Sequence, residues 1–323
     1  MGMEGYMKIY ILCPAKRVTG GVELTHQLCC ALNTLTEIEA KMWYTDIDDT
    51  RLEPLVVNEK APAEYALYHT ECISDYSVVD KTENIVVIPE GLTGYIDLID
   101  KARIVLWWMS VDNYISSTNE ADLDIIKNKV VLHLYQSYYS KDYVEKKITG
   151  ARGIFLSDYI NDEHGKFILP TEFRRNMALY NPRKGYSEIK PLIDKTKWIE
   201  WVPLIGMERE KMILVMQMAK IYVDFGNHPG KDRIPREAAV NGCCVITNKK
   251  GSAAFSEDVS IPEDYKFTEP NDMLDEVEAL LRDICDNFDV HKKDFDNYRK
   301  TIKSEKEKFN NDVLRFVEFM DRF

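Results

Sequence analysis

The sequence predicts an α/β protein of two doubly wound parallel-sheet domains facing one cleft, and three patterns carry that expectation. Short apolar runs of strand length alternate with stretches of helical period, the pattern of parallel strands covered on both faces. The alternation occurs twice, in two series of similar size that meet near residue 170. Several of the strand-to-helix turns carry glycines or paired bases, and folds of this class bind ligands beyond the carboxyl ends of their strands.

In the first series, Met7–Cys13 reads as a buried strand ended by Pro14. A loop closes on Thr19-Gly20-Gly21, and Val22, Thr25, Leu28, Cys29 and Leu32 then recur at helical spacing, with Asn33 as the stop. Lys41–Tyr44, Ile85–Ile88, Arg103–Trp108, Val130–Leu134 and Gly153–Leu156 follow as strands. In the second series, Ala178–Tyr180 is a strand and Asn181–Gly185 its turn, with a helix from Tyr186 or Ser187. Trp198–Pro203, Ile221–Phe225 and Cys243–Thr247 are further strands. Met207–Ala219 is an amphipathic helix, and Pro235–Val240 is a short helix stopped by Asn241-Gly242. The tail from Asn271 is helical and charged. The domains are thus expected at 1–170 and 171–300, with a C-terminal helix at 301–323.

Composition narrows the function. The 323 residues are 45% hydrophobic and 30% charged, ordinary for a globular chain. A net charge of −12 disfavours duplex nucleic acid as the main partner. Local basic clusters can still hold an anion, and one such stretch is Arg174, Arg175, Arg183 and Lys184. Seven cysteines without a C-x-x-C fit neither a disulfide framework nor a zinc ribbon, so a reducing, cytoplasmic setting is expected. No apolar run reaches the ~18 residues of a membrane span, which leaves room for a peripheral contact at the inner face. G-x-G-x-x-G, P-loop and H-E-x-x-H patterns do not occur, and Asp46-Ile47-Asp48-Asp49 is too slight for a metal site.

The segment from Asp224 to Gly242 is the most informative. Pro235 suits the first turn of a helix, and a helix N-terminus welcomes phosphate. Lys231 and Arg233 add full positive charge there, beside His228, Gly230 and Asp232. Glu237, one turn on, can accept hydrogen bonds from a ribose diol. The alternative is a solvated loop with a capped helix. Arg183 and Lys184, on another strand-to-helix turn, could neutralise a diphosphate leaving group, with a surface turn of two solvated bases equally expected. Gly20 and Gly21 permit close backbone approach at a helix start, although such a turn is more often only a turn. Trp108, Asp112 and Asn113 could stack on and hydrogen-bond an acceptor sugar, with a core position equally expected for the tryptophan. His133 reads as a core histidine and His26 as a partly exposed helical one.

Taken in order, these segments resemble the GT-B-fold glycosyltransferases, and most closely the family 4 group that builds bacterial polysaccharides from nucleotide-sugar donors. Thr19-Gly20-Gly21-Val22-Glu23 resembles that family's Gly-Gly-x-Glu loop. Asn181-Pro182-Arg183-Lys184-Gly185 resembles its x-x-E-K-G turn, and Pro235 to Thr247 its P-x-E-A-x-A-x-G-x-P-V-I block. The resemblance implies two Rossmann-like domains, with the C-terminal helix packed back on the first. It implies retaining, metal-independent sugar transfer without a cofactor, to a glycan or lipid-linked acceptor. Arg183, Lys184 and Lys231 would be catalytic. Gly20, Gly21, His228, Gly230, Asp232, Arg233, Glu237 and Ala238 would bind the donor, with Glu237 on the ribose. Trp108, Asp112 and Asn113 would face the acceptor. The family's first glutamate, eight positions before Glu237, is here Pro229, so His228, Lys231 or Asp232 must make the sugar-facing contact. A same-fold sugar-nucleotide epimerase and a non-catalytic donor-binding subunit are the alternatives.

Overall fold

The computed structural model describes residues 7–48 and 55–322; Asp49 of the Asp46–Asp49 cluster lies outside them. Two compact units result, one of Met1–Asp158 with Glu307–Phe323, the other Tyr159–Lys306.

The first unit holds a six-stranded sheet in the order β2-β1-β3-β4-β5-β6. Its strands are β1 (Lys8–Pro14), β2 (Glu39–Thr45), β3 (Ile85–Pro89), β4 (Arg103–Trp108), β5 (Val130–Tyr135) and β6 (Gly153–Phe155). Pairing is parallel throughout, with Ile11 opposite Met42 on one side and Val87 on the other. Consecutive residues of β3 are fully buried because helices cover both faces, and this is why the strand shows no polar alternation. The helices are α1 (Gly20–Leu35), α2 (Val111–Thr118), α3 (Leu123–Lys129) and α4 (Tyr138–Lys147). Thr19 caps α1 by accepting from the Val22 amide. The helix runs past Asn33, whose Nδ2 donates to the Cys29 and Ala40 carbonyls and so ties the helix end to β2.

The second unit holds a five-stranded parallel sheet, β11-β10-β9-β7-β8. Its strands are β7 (Arg175–Tyr180), β8 (Glu200–Pro203), β9 (Ala219–Asp224), β10 (Cys244–Asn248) and β11 (Lys266–Phe267). Its helices are α5 (Tyr186–Lys195), α6 (Arg209–Met218), α7 (Arg233–Val240), α8 (Leu274–Asp286), α9 (Phe288–Asp294) and α10 (Asp296–Lys303), and α11 (Glu305–Met320) starts at its end. The first unit ends ahead of residue 170 because the segment after β6 packs on the second: the Gly165 amide donates to Asn241 Oδ1, and Asn241 Nδ2 meets His164 Nδ1. The tail is four helices rather than one run. From Glu307 onward it belongs to the first unit, where Arg103 Nη1 donates to the Met320 carbonyl. All seven cysteines are thiols. Among the described residues no helix is long and apolar enough to cross a membrane.

Candidate functional site

In the second sheet β7 lies between β8 and β9. The chain therefore leaves β7 and β9 toward opposite faces, opening a crevice at their carboxyl ends. Two glycines let the loops there meet. Gly185 has φ +67°, and a Cβ on it would lie 2.4 Å from the Gly226 Cα; one on Gly226 would lie 3.1 Å from the Lys184 carbonyl carbon. The Arg183–Lys184 turn is thus pressed directly against the loop that leads into α7. Both motifs singled out in this half of the chain share one edge.

The β9–α7 loop is held by its own carbonyls. Asn248 Nδ2 donates to Phe225 O and Gly226 O, the Ser252 amide to His228 O, and Ser252 Oγ to Gly230 O. Arg236, 1% exposed, donates from Nε to Asp232 O and from Nη2 to Lys231 O. The start of α7 is therefore a rigid platform rather than a solvated loop.

Its side chains form a line of alternating charges. Lys184 Nζ is ion-paired with Asp232. Asp232 Oδ2 also lies 2.8 Å from His228 Nδ1, and His228 Nε2 faces Asp224 Oδ1 at 3.9 Å. Asp224 in turn accepts from the Tyr222 hydroxyl and the Gly226 amide. Burial opposes charge on His228, but Asp224 and Asp232 outweigh it and raise its pKa. Burial likewise opposes ionisation of Asp232, and His228 and Lys184 hold its carboxyl below the usual range. Asp224, His228 and Asp232 bring their ligand atoms within 4.8 Å of one another, the spacing of a cation-binding set. The basic groups inside the cluster are Lys184 and the His228 ring.

The sequence-predicted residues separate here. Lys184, Asp232 and His228 come together; Arg183 is exposed on the adjoining turn. His228 is wholly buried and so does not offer its ring to a sugar. Lys231 pairs with Glu305 Oε1 at 2.7 Å, while Arg236 Nη1 donates to Glu305 Oε2 at 2.7 Å. Glu237 Oε1 lies 3.6 Å from Arg233 Nε and 3.7 Å from His164 Nε2. Burial lowers the His164 pKa against the pull of Glu237. The Ala238 side chain is in the core. Arg174 is buried, spent on the Ala219 and Asn241 carbonyls, and Arg175 pairs with Glu200; the four-base cluster read from the sequence is therefore dispersed. Glu305, Asn248 and Ser252 carry no local signal beyond a Gly-Ser after a strand.

The first unit has its own crevice, where α1 starts beside β1 and β3 ends. Gly20 is exposed, and a Cβ on Gly21 would only touch Met109. Glu90, missed in the sequence, is buried immediately after β3; Oε2 accepts from the Met109 amide at 2.9 Å. Burial pushes its pKa up to about 7. Trp108 is not a sugar platform. It is fully buried against Tyr114 and Tyr143, with Nε1 donating to His133 Nδ1 at 3.0 Å. Burial drives the His133 pKa down to about 4, so that its ring is a neutral acceptor. Asp112 accepts from the Tyr139 hydroxyl, and Asn113 is exposed. His26 is buried rather than partly exposed, between the Val22 carbonyl and the Tyr44 hydroxyl.

No protein-family model and no curated protein sequence matches the chain. Solved structures do. Sucrose-phosphate synthase from Thermosynechococcus elongatus is similar at 14% identity and a TM-score of 0.63, over 98% of this chain and 99% of that one. Anabaena HepE in complex with UDP-glucose is similar at 10% and 0.65, over 96% and 99%. A glycosyltransferase from Rickettsia africae is similar at 14% and 0.65, over 98% of each. At such identities the likeness is one of fold. The chain has the α/β fold of these proteins, with two parallel sheets of six and five strands.

Proposed function

We propose that the protein is a glycosyltransferase that moves a sugar from a nucleotide diphosphate to a glycan or lipid-linked acceptor, in the cytoplasm, with retention and without a metal. The observation that carries the reading is the abutment of the Lys184 turn on the start of α7 through Gly185 and Gly226. Two cationic side chains and the N-terminal amides of a helix then share one crevice, a fitting receptor for a diphosphate. In the transfer, the bond from the anomeric carbon to the diphosphate oxygen breaks and its electron pair leaves on the diphosphate. Lys184 and Arg183 take up that charge. The acceptor oxygen bonds to the anomeric carbon, and its proton passes to the departing phosphate. Glu237 receives the ribose diol, and Asp232, the least buried acid of the charged line, makes the sugar-facing contact that Pro229 cannot. Similarity to a structure that holds UDP-glucose makes UDP-sugars the first donors to try.

A second reading is favoured by one observation: Lys184 and Lys231 already have carboxylate partners. A donor-binding subunit without catalysis would tolerate that. Thermal-shift and calorimetric screens against UDP, GDP and dTDP, followed by donor hydrolysis and transfer assays, separate the two. Binding with turnover that Lys184→Ala lowers ~100-fold or more, on a fold that survives, supports the transferase. Binding without hydrolysis or transfer supports the subunit, and no binding refutes both.

A further inference from the structure

The first unit has a second hollow, at the edge of its sheet away from the crevice. It lies where α3 feeds β5 and α4 feeds β6, at the amino ends of both strands. The cavity measures about 280 Å³ and is lined by His133, Lys127, Arg152, Thr149 and Gly150 among others. Among the described residues no acid lines it, in a chain whose net charge is −12.

Two independent features set this hollow apart from a plain basic patch. The first is His133, which lines the cavity although it is only 2% exposed. Its Nδ1 takes the Trp108 Nε1–H at 3.0 Å. An indole nitrogen can only donate, so Nδ1 is the bare nitrogen and the ring's proton sits on Nε2. Among the described residues nothing accepts from that Nε2–H. A buried donor without an acceptor is costly, and the cavity is where an acceptor can reach it. The second feature is Lys127. The last turns of α3 and α4 hold Lys127, Lys129, Lys146 and Lys147. Lys129 donates to the Ile96 and Ile99 carbonyls, Lys146 pairs with Asp142 and Lys147 with Glu120. Of the four, only Lys127 has no partner among the described residues, and it is the one that lines the cavity.

We propose that this cavity binds a phosphate group, with the His133 Nε2–H as a neutral donor at its floor and Lys127 and Arg152 as charges at its mouth. His133 is buried and the two bases are exposed, which sets that order. The Arg152 carbonyl accepts from the His133 amide at 2.8 Å, so the loop carrying Arg152 is tied to the strand carrying the histidine. A carboxylate would bring one charge to two bases. A phosphate monoester carries about −1.5 to −2 at pH 7 and three acceptor oxygens, one for each of the three donors. The volume falls just below the roughly 300–1,000 Å³ of sites for drug-sized ligands, which suits a small phosphate rather than a nucleotide sugar. The site is therefore distinct from the crevice at the carboxyl ends, and it stands whether or not the donor reading does.

The test uses the full chain with inorganic phosphate as probe. The ring nitrogens of His133, followed through its carbon-bound ring protons, are the reporter. Nε2 is expected to be the protonated nitrogen and to shift on titration, with saturation, while potassium chloride at matched ionic strength leaves it in place. Lys127→Glu, at an exposed position, should melt like wild type and raise the phosphate dissociation constant at least tenfold, about the scale of one charged hydrogen bond. Two further arms identify the source of the phosphate. Glycerol 3-phosphate that moves the signal, with no sedimentation on vesicles, assigns a soluble phosphomonoester. Sedimentation with phosphatidic acid vesicles but not with phosphatidylcholine ones, lost in Lys127→Glu, assigns a lipid headgroup. A reporter that phosphate moves no more than chloride does overturns the proposal. So does unchanged phosphate affinity in Lys127→Glu, and so does a ring protonated on Nδ1.

Discussion

Gly185→Ala tests the contact on which the crevice depends. The backbone at Gly185 has φ +67°, a conformation that costs an L-residue about 1–2 kcal/mol. The new methyl would sit 2.4 Å from the Gly226 Cα, 2.8 Å from its nitrogen and 3.2 Å from the Phe225 carbonyl carbon. Carbon atoms pack at roughly 3.5–4.0 Å, so the two loops must separate by about 1 Å. All three atoms are backbone and cannot swing aside. Overpacking of this kind costs about 1–3 kcal/mol, for a total of roughly 2–5 kcal/mol. In a domain of this size 1 kcal/mol moves Tm by about 2–4 °C, so a fall of about 5 °C or more is expected. Gly206→Ala is the control: φ is +63°, but nothing lies within 4 Å of its added methyl. It carries the conformational term alone. Calorimetric melting of the full chain, with the transition of the second unit read separately, compares the two, and titration with UDP reads the site. A Gly185→Ala variant no less stable than Gly206→Ala, with unchanged UDP affinity, refutes the reasoning.

Glu305→Ala removes the carboxylate shared by Lys231 and the 1%-exposed Arg236, and is expected to cost about 3–5 kcal/mol by denaturant titration; Glu305→Gln should cost less. Glu90 has a pKa raised by burial to about 7, so the folded state holds its proton where the unfolded state has lost it. Stability should then fall as pH rises from about 4.5 to about 7, by roughly 3 kcal/mol, and Glu90→Gln should flatten that slope in urea titrations. Trp108→Phe removes the N–H donated to His133 and should cost about 1–3 kcal/mol, while kinetics with any acceptor glycan stay unchanged. A change in acceptor KM alone would return Trp108 to the sugar.

The strands were legible because most are buried on both faces, so that β1, β3 and β4 carry unbroken apolar runs at Ile9–Cys13, Ile85–Ile88 and Ile104–Trp108. Two-residue β11 offers no such run. The tail helices break at Asn287, Phe295 and Ser304, positions without glycine or proline, so the sequence reads as one stretch. In the site, Lys184 and the loop before α7 announce themselves by local chemistry. What those charges meet does not. Glu305 lies 69 residues from Arg236, and the single carboxylate that receives Arg236 and Lys231 has no mark distinguishing it from the other acids of a charged tail. Trp108 and Ala238 misled for the opposite reason. They stand beside chemistry-bearing neighbours, but β4 and α7 turn them inward.

The first unit is discontinuous: its sheet is complete in sequence by β6, yet Glu307–Phe323 returns to it after the whole second unit. Phe309, Val313, Phe316 and Met320 are buried there. During synthesis from the N-terminus the sheet therefore emerges without this apolar covering and must wait for about half the chain. The second unit, unbroken in sequence, can close before the first is finished. Order of translation and order of completion can thus run opposite to one another in this molecule.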